Sequence, residues 1–267
     1  MTDLDRLIGN ARVFDLAHPL EQNMPVSPNH PGFRMALQRR HGDMVRPDGG
    51  SASNEMIVMG GHTGTHLDAL CHVSQDGKLF GGIDAAAAQT GARFNKLGLE
   101  TVPPFVCRGV LLDVAAYQGV DCLPAATPIT AADLQATASA QGTSLAGVGA
   151  VLVRSGWTRH WTSPHAYLGE ESGVPGPDVS AAEFIANAGT KVTGHDSMAY
   201  ECLAPGAGHR VLPVHRVLLV ERGIHIIENV AMEELSRARQ YEFLFVVASL
   251  KIVGGTGSPV RPLAIVM

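Results

Sequence analysis

An α/β domain built on a mixed central sheet is what this sequence predicts, and three observations carry it. Strand-like runs and capped helices are interleaved along the chain, without the regular alternation of a doubly wound parallel sheet. No repeat, low-complexity segment or charged linker divides the 267 residues, so 1–267 reads as a single domain. Its 30 glycines and 16 prolines call for many short elements joined by tight turns.

Taken in order, strands are expected at 12–16, 54–59, 105–114, 149–154, 191–193, 223–227 and 242–252. Ahead of the second of these, residues 33–53 carry Arg39, Arg40, His41, Arg46 and several glycines. That stretch reads as a long loop or hairpin, either shaping a pocket or presenting a solvated basic face. Two helices open on S/T-x-x-D/E boxes, Thr130-Ala131-Ala132-Asp133 and Ser180-Ala181-Ala182-Glu183, and meet stop glycines at Gly142 and Gly189. A third helix is expected over 214–222, ending at Gly223.

Composition excludes several functional classes. Twenty Lys and Arg against 25 Asp and Glu give a net charge of -5, where a nucleic-acid binder would show a basic stripe. No apolar run approaches the roughly 18 residues of a membrane span. The opening Met1-Thr2-Asp3-Leu4-Asp5 carries acids where a signal peptide carries bases, so a soluble, cytoplasmic protein is expected. Four cysteines lack CxxC pairing, and no GxGxxG, GxxxxGK[ST] or GxSxG motif occurs. A small-molecule substrate is therefore expected rather than a nucleic acid or membrane.

The chemistry concentrates in Gly60-Gly61-His62-Thr63-Gly64-Thr65-His66-Leu67-Asp68-Ala69-Leu70-Cys71-His72. Its glycines let the backbone turn sharply after a strand and approach an ion closely. His62, His66 and Asp68 offer two imidazoles and a carboxylate, a set that suits catalytic Zn²⁺ or Mn²⁺ with open positions remaining. If a helix begins near His66, Asp68 and His72 become an i, i+4 pair on one face. His72 then stands beside the ion without ligating it, as a general base does. The competing reading takes Thr65-x-x-Asp68 as a capping box that merely closes that helix. Cys71 points away from His72 on a helix, by about 100°, which argues against a thiol mechanism.

The pattern His-x-Gly-Thr-His-x-Asp-x-x-x-His resembles the signature of the cyclase family of metal-dependent hydrolases, which includes bacterial kynurenine formamidases and isatin hydrolases. The resemblance implies that His62, His66 and Asp68 bind the metal and that His72 is the catalytic base. It also implies a swivelling β/β/α fold and a homodimer or homotetramer. Supporting segments are Asp15-Leu16-Ala17-His18-Pro19-Leu20, Arg154-Ser155-Gly156-Trp157 with Trp161, and Gly194-His195-Asp196-Ser197.

A second constellation lies downstream. His215 falls on the apolar face of its predicted helix, with Leu218 and Leu219. Glu228 shares strand parity with Ile224 and Ile226, which places a carboxylate on a buried face. Such a carboxylate needs a partner, either a buried histidine or a cation. In the formamidase branch a His followed about a dozen residues later by Glu completes a second metal position with Asp68 bridging, and His215 and Glu228 resemble that pair. One ion or two both fit, since the pair can instead support a single ion from behind.

A metal held this way activates water and polarises a carbonyl, and His72 can shuttle the proton to a leaving nitrogen. The reaction expected is cleavage of an amide C–N bond, in an aryl formamide or cyclic amide. A lactonase on the same centre, or a non-catalytic binding protein of the same fold, is the alternative. Two departures from the family bear on substrate. Ser27 stands where the formamidases carry an aromatic residue, and Glu201 ends the stretch Asp196-Ser197-Met198-Ala199-Tyr200-Glu201, where the family has Asp. Trp157 and Trp161, an i, i+4 pair, are expected in the core or as a replacement aromatic wall. His30, His195 and His209 are further polar residues without an assigned role.

Overall fold

Burial on both faces is the mark of a strand covered on both sides, and Val110-Leu111-Leu112 and Ala150-Val151-Leu152-Val153 are buried throughout. A computed structural model, which describes residues 9–267, places both runs at the centre of a nine-stranded sheet. The acidic opening Met1 to Asp5 lies outside the described residues.

Along the chain come β1 (Arg12–Asp15), β2 (Arg34–Arg39), β3 (Asn54–Val58), β4 (His66–Asp68), β5 (Phe105–Asp113) and β6 (Ala150–Arg154). They are followed by β7 (Val192–His195), β8 (His225–Glu228), β9 (Glu242–Val247), β10 (Gly257–Pro259) and β11 (Leu263–Val266). The sheet order is β1-β11-β9-β5-β6-β7-β8-β4-β10. Strands β5 to β8 run parallel, and the flanking pairs are antiparallel. The sheet is mixed, as predicted.

Period-two alternation sorts the core. Val110, Leu112, Val151 and Val153 pack against two helices, α1 (Ala131–Gln141) and α2 (Val179–Asn187), through Leu134, Ala138, Ala181 and Ile185. Leu111 and Leu152 face the other way, into a cluster with Leu67, Phe243 and Phe245. Helix α1 opens on the predicted capping box and ends at Gly142, φ +68°. Helix α2 is capped two residues before its predicted box. Asp178 is the cap, accepting from the Ala181 N–H at 3.0 Å, and Ser180 donates to Asp178 instead. Asp caps as well as Ser, so the earlier residue took the role.

Three further expectations shift. The stretch 214–222 is not one α-helix: α3 (Pro213–His215) passes into a π-helical turn at Arg216–Glu221. The strand expected at 223–227 begins at His225, and the one expected at 242–252 stops at Val247. Residues 33–53 hold β2 and the tip of a hairpin completed by β3, with a bulge between Leu37 and Arg39. Both hairpin strands are exposed along their whole length, Met35 and Ile57 being 57% and 48% accessible. Among the described residues no helix is long and apolar enough to cross a membrane.

Candidate metal centre

Strand β4 is short, and alternation divides its work. Leu67 points into the core, while His66 and Asp68 point to the opposite face. Its antiparallel register with β8 sets Glu228 opposite His66 and Ile226 opposite Asp68. Directly opposed residues share a face, so the parity that set Glu228 beside Ile226 also sets it beside the motif. On the other edge, Gly257 of β10 lies opposite Asp68. A Cβ on Gly257 would overlap the His62 ring, so glycine there is what admits that imidazole. His62 precedes β4 in a loop that turns at Gly64, φ +65°. His215 arrives from α3.

The six predicted residues His62, His66, Asp68, His72, His215 and Glu228 are brought into one cluster. Ligand atoms of His62, Asp68 and His72 lie within 4.8 Å of one another, as do those of Asp68, His215 and Glu228. His66 Nε2 lies 3.6 Å from Asp68 Oδ1 and 3.4 Å from Glu228 Oε2. His215 Nε2 lies 3.2 Å from Glu228 Oε1 and 3.8 Å from Asp68 Oδ2. His62 lies between Asp68 Oδ1, 2.8 Å from Nδ1, and the Thr256 hydroxyl, 3.0 Å from Nε2. The His72 ring stacks on His62 with centroids 3.9 Å apart.

These contacts fit a cation. His66 Nδ1–H donates to the Gly64 carbonyl at 2.8 Å, and His215 Nδ1–H donates to Glu201 Oε1 at 2.8 Å. The remaining Nε2 of each ring then faces carboxylate oxygens, an arrangement that needs positive charge between them, a proton or a cation. Asp68 Oδ2 is buried with no hydrogen-bond partner among the described residues. The protonation behaviour shows the same demand. Burial works against charge on His215, but its hydrogen bonds to Glu201 and Glu228 hold it up at about 10. Burial also opposes ionisation of Asp68, yet the imidazoles around it, His72 and His62 foremost, hold it well below the usual carboxylate range. Burial pushes His72 down to about 3, partly offset by Asp68.

Local structure around the motif departs from expectation. His66 and Asp68 are on a strand, so Asp68 and His72 are not an i, i+4 helical pair. His72 is set instead by a turn in which its N–H donates to Ala69 O at 2.9 Å. The Thr65-x-x-Asp68 box does not form, because the Thr65 hydroxyl donates to Asn229 O at 2.6 Å. Cys71 packs in the core, where burial pushes its thiol up to about 11. Trp157 and Trp161 belong to a core cluster, with Trp161 stacked on His18, and neither lines the cavity.

Ser27, His30, Met198, His209 and Leu212 are among the further walls of the cavity at the cluster. Residues 33–53 do not reach it. Sequence reasoning missed Glu201, Asn229 and Thr256 as partners of the cluster. Glu201 stood out only as a departure from the family and Asn229 only as the start of a segment resembling the family's tail, and no spacing rule links a carboxylate to a histidine fourteen residues on.

Comparison with known proteins follows the same lines. The family model described as "Putative cyclase" matches residues 14–202. The kynurenine formamidase of Geobacillus thermodenitrificans is 25% identical over 248 residues, spanning 92% of this chain and 94% of its own. The isatin hydrolase of Roseibium aggregatum is 25% identical over 275 residues, spanning 97% and 94%. A crystal structure described as a novel cyclase is similar at TM-score 0.86 and 28% identity, covering 99% of this chain and 91% of that one. With a model match across most of its length, this chain belongs to the cyclase family.

Proposed function

We propose that this chain is a metal-dependent hydrolase that cleaves an amide C–N bond, in an aryl formamide or a cyclic amide. The observation that carries the reading is the convergence of four imidazoles and two carboxylates at one cavity, with the Nε2 atoms of His66 and His215 aimed at carboxylate oxygens. His62, His66 and Asp68 would hold Zn²⁺ or Mn²⁺. His215 and Glu228 would hold a second ion with Asp68, or stand behind the first. A divalent cation there supplies Lewis acidity toward water and toward a carbonyl oxygen.

His72 is the proton carrier in this reading. Its ring lines the cavity and its nitrogens have no hydrogen bond from protein among the described residues, so they are free to take a proton and return it to the leaving nitrogen. Cys71 is no competitor, being a buried thiol outside the cavity lining. A binding protein without catalysis would have no use for an uncommitted imidazole at that place.

Ser27 opens the wall where the formamidases carry an aromatic side chain, and no Phe, Tyr or Trp is among the lining residues. A wider groove adjoins the cavity and shares Ser27, Met198 and His209 with it. The missing aryl wall favours a second reading, a compact lactone ring opened on the same centre. We further propose a cytoplasmic homodimer or homotetramer; the exposed apolar residues of the β2–β3 hairpin support the oligomer.

Metal analysis of the purified protein tests the proposal, run beside hydrolysis of N-formylkynurenine, isatin and a simple lactone before and after chelation. The expected result is bound Zn or Mn and chelator-sensitive turnover. A protein that takes up no metal even after reconstitution overturns the reading.

A further inference from the structure

We infer that Asn229 is a positioning residue that sets the ring orientation and tautomer of His66, and that Tyr167 holds Asn229 in that role. Asn229 directly follows Glu228 at the end of β8, is buried, and has a left-handed backbone with φ +56°. A side-chain-bearing residue adopts that conformation at a cost, and Asn tolerates it better than most.

Four hydrogen bonds hold it there. Its N–H donates to Ser197 O at 3.0 Å, and its carbonyl accepts from the Thr65 hydroxyl at 2.6 Å. Its side-chain NH₂ donates to Gly64 O at 2.8 Å, and its side-chain oxygen accepts from the Tyr167 hydroxyl at 2.7 Å. Tyr167 is buried, and burial pushes its ionisation well above the usual phenol value. Its hydroxyl also lies 3.1 Å from Asp196 O, and the Gly64 carbonyl, which can only accept, fixes which end of the Asn229 amide faces it.

The Gly64 carbonyl is the shared point. Its oxygen accepts from Asn229 and, also at 2.8 Å, from His66 Nδ1–H. Asn229 thus pins the one acceptor that commits Nδ1 as the donor and leaves Nε2 facing Asp68 and Glu228. Because it is covalently next to Glu228, the same residue ties the carboxylate strand to the imidazole strand. Leucine at this position would leave Gly64 O with one donor fewer, and aspartate would set an acceptor against an acceptor.

The affinity part of this inference rests on the metal-centre reading; the tautomer part does not. Nitrogen-edited NMR of the histidine rings in metal-free wild-type protein at mildly alkaline pH, with His66 identified by comparison with His66→Gln, should show His66 as the Nδ1–H tautomer. An Nε2–H tautomer overturns the inference whatever the metal results. Asn229→Gly removes the amide while easing the left-handed backbone. Its Zn²⁺ affinity, read by competition with a chromophoric chelator, should fall about 10–100-fold with little change in Tm. Tyr167→Phe should show a smaller loss in the same direction. Wild-type affinity in Asn229→Gly, or in Tyr167→Phe if Asn229→Gly fails to fold, overturns the role. A wild-type protein that binds no Zn²⁺ would defeat the metal reading and leave the tautomer measurement to decide this one.

Discussion

Glu201 grips His215 from two directions. One carboxylate oxygen accepts from both Nδ1–H and the backbone N–H of His215, at 2.8 and 3.0 Å, and the other accepts from the Val214 N–H at 3.1 Å. A single buried side chain thereby anchors the start of α3 and fixes which His215 nitrogen faces Asp68 and Glu228.

Glu201→Gln should loosen both functions, because its NH₂ must face groups that are themselves donors. The expected cost is about 1–3 kcal/mol of stability, together with a metal affinity lowered about 10–100-fold. Thermal melts and chelator competition read the two separately. Wild-type values in both would deny Glu201 the orienting role.

His72→Ala should keep its metal and lose hydrolysis by about 10²–10⁴-fold, the usual worth of a positioned acid–base group. Metal content and turnover measured on the same sample separate the possible roles. Loss of metal would make His72 a ligand, as its closeness to His62 and Asp68 allows. Full activity would remove it from the mechanism.

Asp68→Asn should abolish metal binding, since Asp68 is the carboxylate common to both donor groups. Glu228→Gln should lower the metal-to-protein ratio measured by elemental analysis. An unchanged ratio would mark a single-ion centre, with Glu228 serving only as a partner to His66 and His215.

His18 should carry part of the acid sensitivity of the fold, independently of any metal. Burial against Trp161, only partly offset by Asp196, pushes its pKa down to about 4. A folded-state value below the unfolded one of about 6.5 means stability that is fully present above pH 6.5 and declines as pH falls toward 4. The decline should amount to about 2–3 kcal/mol. His18→Gln should flatten that part of the curve of unfolding free energy against pH; an acid limb identical to wild type would refute the assignment.

Light scattering coupled to size exclusion should report a dimer or tetramer. The β2–β3 hairpin exposes Met35, Leu37, Met56, Ile57 and Val58 away from its own core, more apolar surface than a free arm usually shows. Ile57→Lys together with Met35→Glu should shift the protein toward monomer. An unchanged mass would place the interface elsewhere.

Much of this fold is written in local pattern. The buried runs of β5 and β6 and the Thr130 capping box are short-range signals, and they appear where the spacing puts them. The motif supplied four residues and the second constellation two, and all six converge in space although they lie as far apart as His62 and Glu228. Where reading failed, a distant partner had won. The Thr65 hydroxyl is compatible with a capping box, but Asn229, 164 residues away, takes it, so a strand stands where a helix start was expected. Glu201 and Thr256 touch the cluster only through tertiary packing, as does the Asn229 side chain through Gly64, and a single sequence carries no period that points to them. The π-helical turn after His215 is equally silent, since its apolar spacing matches an ordinary helix.

Strand β4 has hydrogen-bonded neighbours on both edges, whereas Ser27, His30 and His209 reach the cavity from segments that are neither strand nor helix. His66 and Asp68 therefore belong to a part of the molecule that is slow to open, and these further walls to a part more tolerant of replacement. Loops such as these can be rewritten while the strand-borne pair of His66 and Asp68 is kept.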